Sequence, residues 1–266
     1  MSAIAFLLEL RRSRTLLISL GVVTALYAGF ITVFYTNVAE NAKAFEDLLK
    51  LYPKELMVAF GIEGNFADPA VFLSGYVFNF LWPLMAAIVA IVLATRVAAD
   101  ADRGFLDIAL ATPIERVRYL LASVAIQVRG VAALAAVMVG SIVVADLLIE
   151  PDFATANVLL STLPALAFGL AIAGPTTLFA VILLDRGRAA GIAAGILVVM
   201  YLVNVIAALA PEYEGLASLS VFHYFDMKDL IRTGTYPVGD TVVYLVVWAA
   251  GWLLALGAFR RRDLAA

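Results

Sequence analysis

The sequence contains no cysteine and a single histidine, His223. Without cysteine there are no disulfides, thiolate metal sites or thiol nucleophiles, and one imidazole cannot assemble the usual metal cluster alone. Charge is also scarce. Asp, Glu, Lys and Arg make up 15% of 266 residues, where a soluble domain carries about a quarter, and a formal charge of −3 gives no general reason to expect nucleic acid. Apolar residues fill the difference, at 64% of the chain with a mean hydropathy of +1.00. That excludes a water-soluble globule. Six apolar runs reach the ~20 residues that a bilayer crossing takes, which leaves one all-α polytopic membrane domain over residues 1–266.

The hydropathy places spans at about 15–35, 71–95, 128–149, 158–184, 189–210 and 241–259. The first is read as a retained helix and not a signal peptide, because the apolar run after Arg14 is longer than an h-region and has no A-x-A site. The termini, the loop after span two with Arg129 just beyond it, and the loop after span four hold 13 of the 18 Lys and Arg, all of them Arg, with 7 acidic residues. The opposite side holds 5 cations and 14 acids. Excess Lys and Arg mark the cytoplasmic face, so both termini are expected there.

Three segments fall outside the spans. Residues 1–10 suit either a short interfacial helix anchored by Arg11 to Arg14 or an extension of span one. Phe45, Leu48, Leu49 and Tyr52 form an amphipathic stripe, with Glu46 and Lys50 as an i,i+4 pair. Residues 211–240 gather Phe222, His223, Tyr224, Phe225 and Tyr236 among charges, which reads as an interfacial aromatic belt or a gate.

The most informative stretch is the loop between spans two and three, Arg96-Val-Ala-Ala-Asp-Ala-Asp-Arg-Gly-Phe-Leu-Asp-Ile-Ala-Leu-Ala-Thr-Pro-Ile-Glu-Arg-Val-Arg118. Gly104 separates a short helix from what precedes it, Leu106, Ala109 and Leu110 share one face, and Pro113 stops it. Two turns with one apolar stripe bury too little to stand alone. Either the chain's own spans cover that stripe or a partner does.

Acidic residues followed by Gly-x-Leu-(Asp/Glu)-x-x-Leu-Ala-Thr-Pro-x-x-Arg, after a Pro-containing second span, resemble the coupling helix of type-2 ATP-binding cassette exporter permeases. The likeness extends to the N-terminal helix, the run at 51–61, the Leu219-Ser-Val-Phe-His-Tyr run and the Arg261-Arg262-Asp263-Leu264 ending. By that resemblance Asp100, Asp102, Gly104, Phe105, Leu106, Asp107, Leu110, Pro113 and Arg116 would contact an ATPase. Ala101, Phe105 and Ala109 depart from the family pattern and remove some charge and apolar volume from that contact. No glycine is followed by lysine anywhere, so the chain has no P-loop. The resemblance therefore implies no catalytic residue, metal or cofactor in this chain. It implies two copies of a nucleotide-binding subunit carrying ATP and Mg, a second permease protomer forming a homodimer, and residence in the cell membrane among its lipids.

Within the spans, Asn79, Trp82, Tyr201 and Asn204 are the polar or amphipathic groups nearest mid-membrane, either substrate contacts or interhelical hydrogen bonds. Arg129 and Asp146 share a helix but stand ~26 Å apart, each near an interface. Gly187, Gly191 and Gly195 at four-residue spacing predict close packing against another span or a second protomer. Pro83, Pro164 and Gly174-Pro175 predict kinks. The implied activity is outward movement of a hydrophobic or amphipathic substrate. The alternatives are an ion- or copper-related permease of the same family, or a secondary transporter, which would call for buried carboxylates. An intramembrane hydrolase would need clustered His and acidic residues within the bilayer, which the sequence lacks.

Overall fold

Six helices are long and apolar enough to cross a membrane in the computed structural model, which describes residues 3–53, 57, 67–104, 116–149 and 153–261. Span one is Ser13–Glu40, span two Pro69–Ala94, span three Val117–Leu148, span four Thr155–Leu183, span five Arg186–Leu209 and span six Val238–Arg261. No strand occurs among the described residues. The chain is an all-α multi-pass membrane protein, as its composition requires.

Several boundaries differ from the hydropathy reading. The first helix runs unbroken from Ala3 to Glu40, so the N-terminal residues extend span one and do not form a separate interfacial helix. Arginine is a good helix former, and neither glycine nor proline intervenes before Gly21. The helix of span three starts at Arg116 and not near 128, because Arg118, Ser123 and Gln127 lower the hydropathy without lowering helicity. In the loop after span one, Ala42–Leu49 is helical. Lys50 pairs with Asp47 at 2.9 Å, at i,i+3, while the Glu46 side chain lies outside the described residues.

Proline shapes two spans. Asp68 caps span two by accepting from the Ala70 N–H at 2.8 Å, with Pro69 at the first helical position. The span then winds as a π-helix over Ser74–Leu81 before becoming α-helical at Trp82–Ala94. Pro83 explains the change: it has no N–H for the Asn79 carbonyl, and its ring would strike that carbonyl in an α-helix. The Trp82 N–H accordingly reaches back to the Val77 carbonyl. In span four the helix breaks at Ser161, between Thr155–Leu160 and Thr162–Leu183, where Pro164 cannot donate to the Leu160 carbonyl. Gly174-Pro175 stays inside one continuous helix.

Span four is the centre of the bundle, packed against spans two, three, five and six. Its apolar window is 67% buried, against 11% for span five. Spans four and six approach most closely. A β-carbon on Gly251 would lie 2.5 Å from the carbonyl carbon of Gly174, and one on Gly174 would lie 2.5 Å from the Trp248 carbonyl oxygen. Glycine is required there for contact between backbones, since any side chain holds the helices apart.

Away from the arginine-rich end, the segment after span five folds back on the bundle. Pro211–Leu219 is a 3-10 helix and Lys228–Thr233 a short α-helix. Arg232 forms an ion pair with Asp68 at the start of span two, and the Asn157 side chain donates to the Ile231 carbonyl at 3.1 Å. Phe225 is buried against Phe168 of span four, with ring centroids 4.6 Å apart, and Phe222 meets the same ring edge-on at 5.7 Å. Phe225 belongs to the core, and Phe222 is half-buried against it. His223 is exposed and meets Tyr224 edge-on at 5.0 Å.

Candidate functional site

Span two ends at Thr95, whose hydroxyl donates to the Ile91 carbonyl at 2.8 Å and whose backbone leaves the α region. A further helix, Arg96–Asp102, continues to Gly104, where φ is +70° and the Gly104 N–H closes the turn on the Ala101 carbonyl at 2.9 Å. The glycine ends the helix as its sequence position implied, because a side chain is strained in that left-handed conformation. Phe105, Leu106, Asp107, Leu110 and Pro113 lie outside the described residues. Arg116 opens the helix of span three.

The two acidic residues before the glycine are engaged by their own chain. The Tyr119 hydroxyl of span three donates to Asp100 Oδ2 at 2.8 Å. Asp102 Oδ2 accepts the backbone N–H of Arg186, the first residue of span five, at 3.1 Å. The loop base is thereby tied to spans three and five as well as being continuous with span two. Tyr119 also stacks on Phe259 of span six, at 6.3 Å between centroids, beside a second core patch of Val97, Leu120, Val181 and Ala255. The family resemblance implied a partner for Asp100 and Asp102, and the sequence carried no signal for these two contacts within the chain.

The mid-membrane candidates separate. Trp82 is fully buried, and its indole N–H donates to the Ala165 carbonyl of span four at 3.1 Å. That bond joins two spans. Asn79 lies half-buried in the π-helical turn. Tyr201 and Asn204 are on span five, with Tyr201 exposed and edge-on to Phe222 at 5.6 Å. Asn79 is on span two, so the candidates are divided between two helices.

A polar node that spacing did not identify joins spans three and four. Gln127 and Thr177 are fully buried, and the Gln127 amide donates to Thr177 Oγ1 at 3.1 Å and to Ser123 Oγ at 3.3 Å. All members are neutral. Asp146 is buried near the end of span three and accepts the Phe153 N–H at 3.4 Å, so it holds a turn, while Arg129 is exposed on the same helix.

The glycines of span five make no close contact with another span among the described residues. A β-carbon on Gly191 or Gly195 would meet nothing within 4 Å, and one on Gly187 would meet only the Asp185 side chain at 3.5 Å. Gly195 instead lines an apolar groove of about 500 Å³ with Ile192, Ile196, Val199 and Leu219. Among the described residues, no other span meets the Gly191 or Gly195 positions. No protein-family model matches the chain, and no curated protein matches it.

Proposed function

We propose that the chain is the membrane-spanning permease subunit of an ATP-driven exporter of the type-2 ATP-binding cassette kind, resident in the cell membrane with both termini cytoplasmic. Two copies pair through the outward face of span five, and two separate nucleotide-binding subunits, carrying ATP and Mg, dock beneath the loops at 105–115. The observation that supports this reading best is the tethering of the loop base: Asp100 to Tyr119 and Asp102 to Arg186. A displacement delivered to the loop reaches spans two, three and five together.

The mechanism is a two-state one. ATP draws the ATPase subunits together, the loops move with them, and the spans repack between inward-facing and outward-facing arrangements. The nucleotide shifts that equilibrium only because it binds the two states with different affinity. The apolar lining of the span-five groove favours hydrophobic or amphipathic cargo over polyanions.

Co-expression with the product of an adjacent ATPase gene, followed by hydrolysis assays in nanodiscs, tests the reading. Leu106→Asp and Leu110→Asp should leave the permease in the membrane and abolish co-purification of the ATPase. Undiminished co-purification and substrate-stimulated hydrolysis in both variants would overturn it.

A further inference from the structure

At the arginine-rich end, a cavity of about 360 Å³ opens between spans one, two and five. Its lining includes the guanidinium-bearing Arg96, Arg103 and Arg186, one carboxylate, Asp100, and the apolar Leu16 and Val92. The three arginines come from separate features of the sequence: the helix after span two, its C-cap, and the first turn of span five. Asp100 is held by the Tyr119 hydroxyl on the side of span three. The first amides of the helix Arg186–Leu209 are taken by the Asp185 and Asp102 carboxylates, so the positive charge offered to an anion here is that of the guanidinium groups.

The cavity's height in the bundle identifies its occupant. Span two ends at Ala94 and span five begins at Arg186, so Arg96 and Arg186 stand where the apolar spans give way to polar surroundings, at the level of lipid headgroups. Above them Leu84, Ile88 and Val92 descend span two toward Arg96 at four-residue intervals, with Leu84 exposed and the other two half-buried. An apolar ridge leading into a basic cavity at the headgroup level suits an acyl chain with an anionic head. Basic pockets between membrane helices bind such headgroups, and guanidinium groups grip phosphate oxygens in paired hydrogen bonds.

We propose that this cavity holds an anionic phospholipid, with its phosphodiester among Arg96, Arg103 and Arg186 and one acyl chain along Leu84, Ile88 and Val92. The site lies beside the bonds that tether the loop base, so its occupant would brace that base. The inference does not require an ATPase partner. Its test uses the permease alone, so the proposed transport role and the lipid site fail separately.

Native mass spectrometry of the full-length chain, released from micelles containing equal phosphatidylglycerol and phosphatidylcholine, tests it. The wild-type chain should retain phosphatidylglycerol about tenfold over phosphatidylcholine. Arg103→Gln, at an exposed side chain, should reduce that preference about fivefold, and R96Q/R103Q/R186Q should abolish it. Arg260→Gln, at the same end on span six, should leave it intact. Equal retention of the two lipids by the wild type would overturn the proposal, as would a preference that survives the triple substitution or falls equally in R260Q. Complete displacement of the lipid by millimolar inorganic phosphate would show a small-anion site and overturn it too.

Discussion

Gly174 of span four and Gly251 of span six touch backbone to backbone: a β-carbon on Gly251 would come within 2.5 Å of both the Gly174 carbonyl carbon and the Pro175 nitrogen. Neither helix can yield locally, because the obstructing atoms are main chain. Gly251→Ala and Gly174→Ala should each cost about 1–3 kcal/mol by overpacking, read as a lower melting temperature in detergent. Gly191→Ala and Gly195→Ala, where nothing lies within 4 Å, should leave the melting temperature of the isolated chain unchanged. Equal losses in all four would mean that the four-six crossing is looser than described.

Trp82 gives a second test. Trp82→Phe keeps most of the ring volume but removes the second donor to the Ala165 carbonyl, which keeps its bond within the helix Thr162–Leu183, so the loss should be about 0.5–1.5 kcal/mol. Trp82→Ala should cost about 3–5 kcal/mol. A substrate contact would behave oppositely, with altered affinity and unchanged melting, so thermal denaturation beside a substrate-binding assay distinguishes the two.

The Tyr119 hydroxyl and Asp100 form the third. Tyr119→Phe removes only the donor and keeps the stacking on Phe259, so the stability loss should be about 1 kcal/mol. In the proposed complex its main effect should be on transmission: ATPase subunits still co-purify, but substrate no longer stimulates hydrolysis as strongly. Wild-type stimulation in Tyr119→Phe would remove this bond from the route between loop and spans.

Pairing of two copies can be read directly, because the natural chain has no cysteine to confuse the result. Single substitutions Gly191→Cys and Gly195→Cys should give disulfide-linked dimers on mild oxidation in membranes, since a disulfide needs α-carbons within about 7 Å. Val246→Cys, on the exposed side of span six, should not. Crosslinking at position 246 with none at 191 or 195 would move the interface to another face.

The number of spans was legible because it depends on apolar length alone, and so was the turn at Gly104, whose chemistry is local. Starting points such as Arg116 were not, because arginine, serine and glutamine lower hydropathy while still accepting a helix. The contacts that organise the bundle were also hidden. Gln127 and Thr177 stand 50 positions apart, and nothing in either neighbourhood names the other. The glycines show the limit most clearly: regular spacing marked Gly187, Gly191 and Gly195, yet the backbone contact inside the chain belongs to Gly174 and Gly251, which share no pattern. Spacing shows that a helix has a smooth face, and only the fold shows what meets it.

The loose winding of span two at Ser74–Leu81 stores slack in its length. If this stretch rewound to the tighter pitch, everything after Trp82 would turn about the helix axis like a key, carrying Arg96 and the tethered loop base with it. In that case the position of the arginine-rich end and the shape of the bundle near Asn79 would change together, as two readings of one torsion.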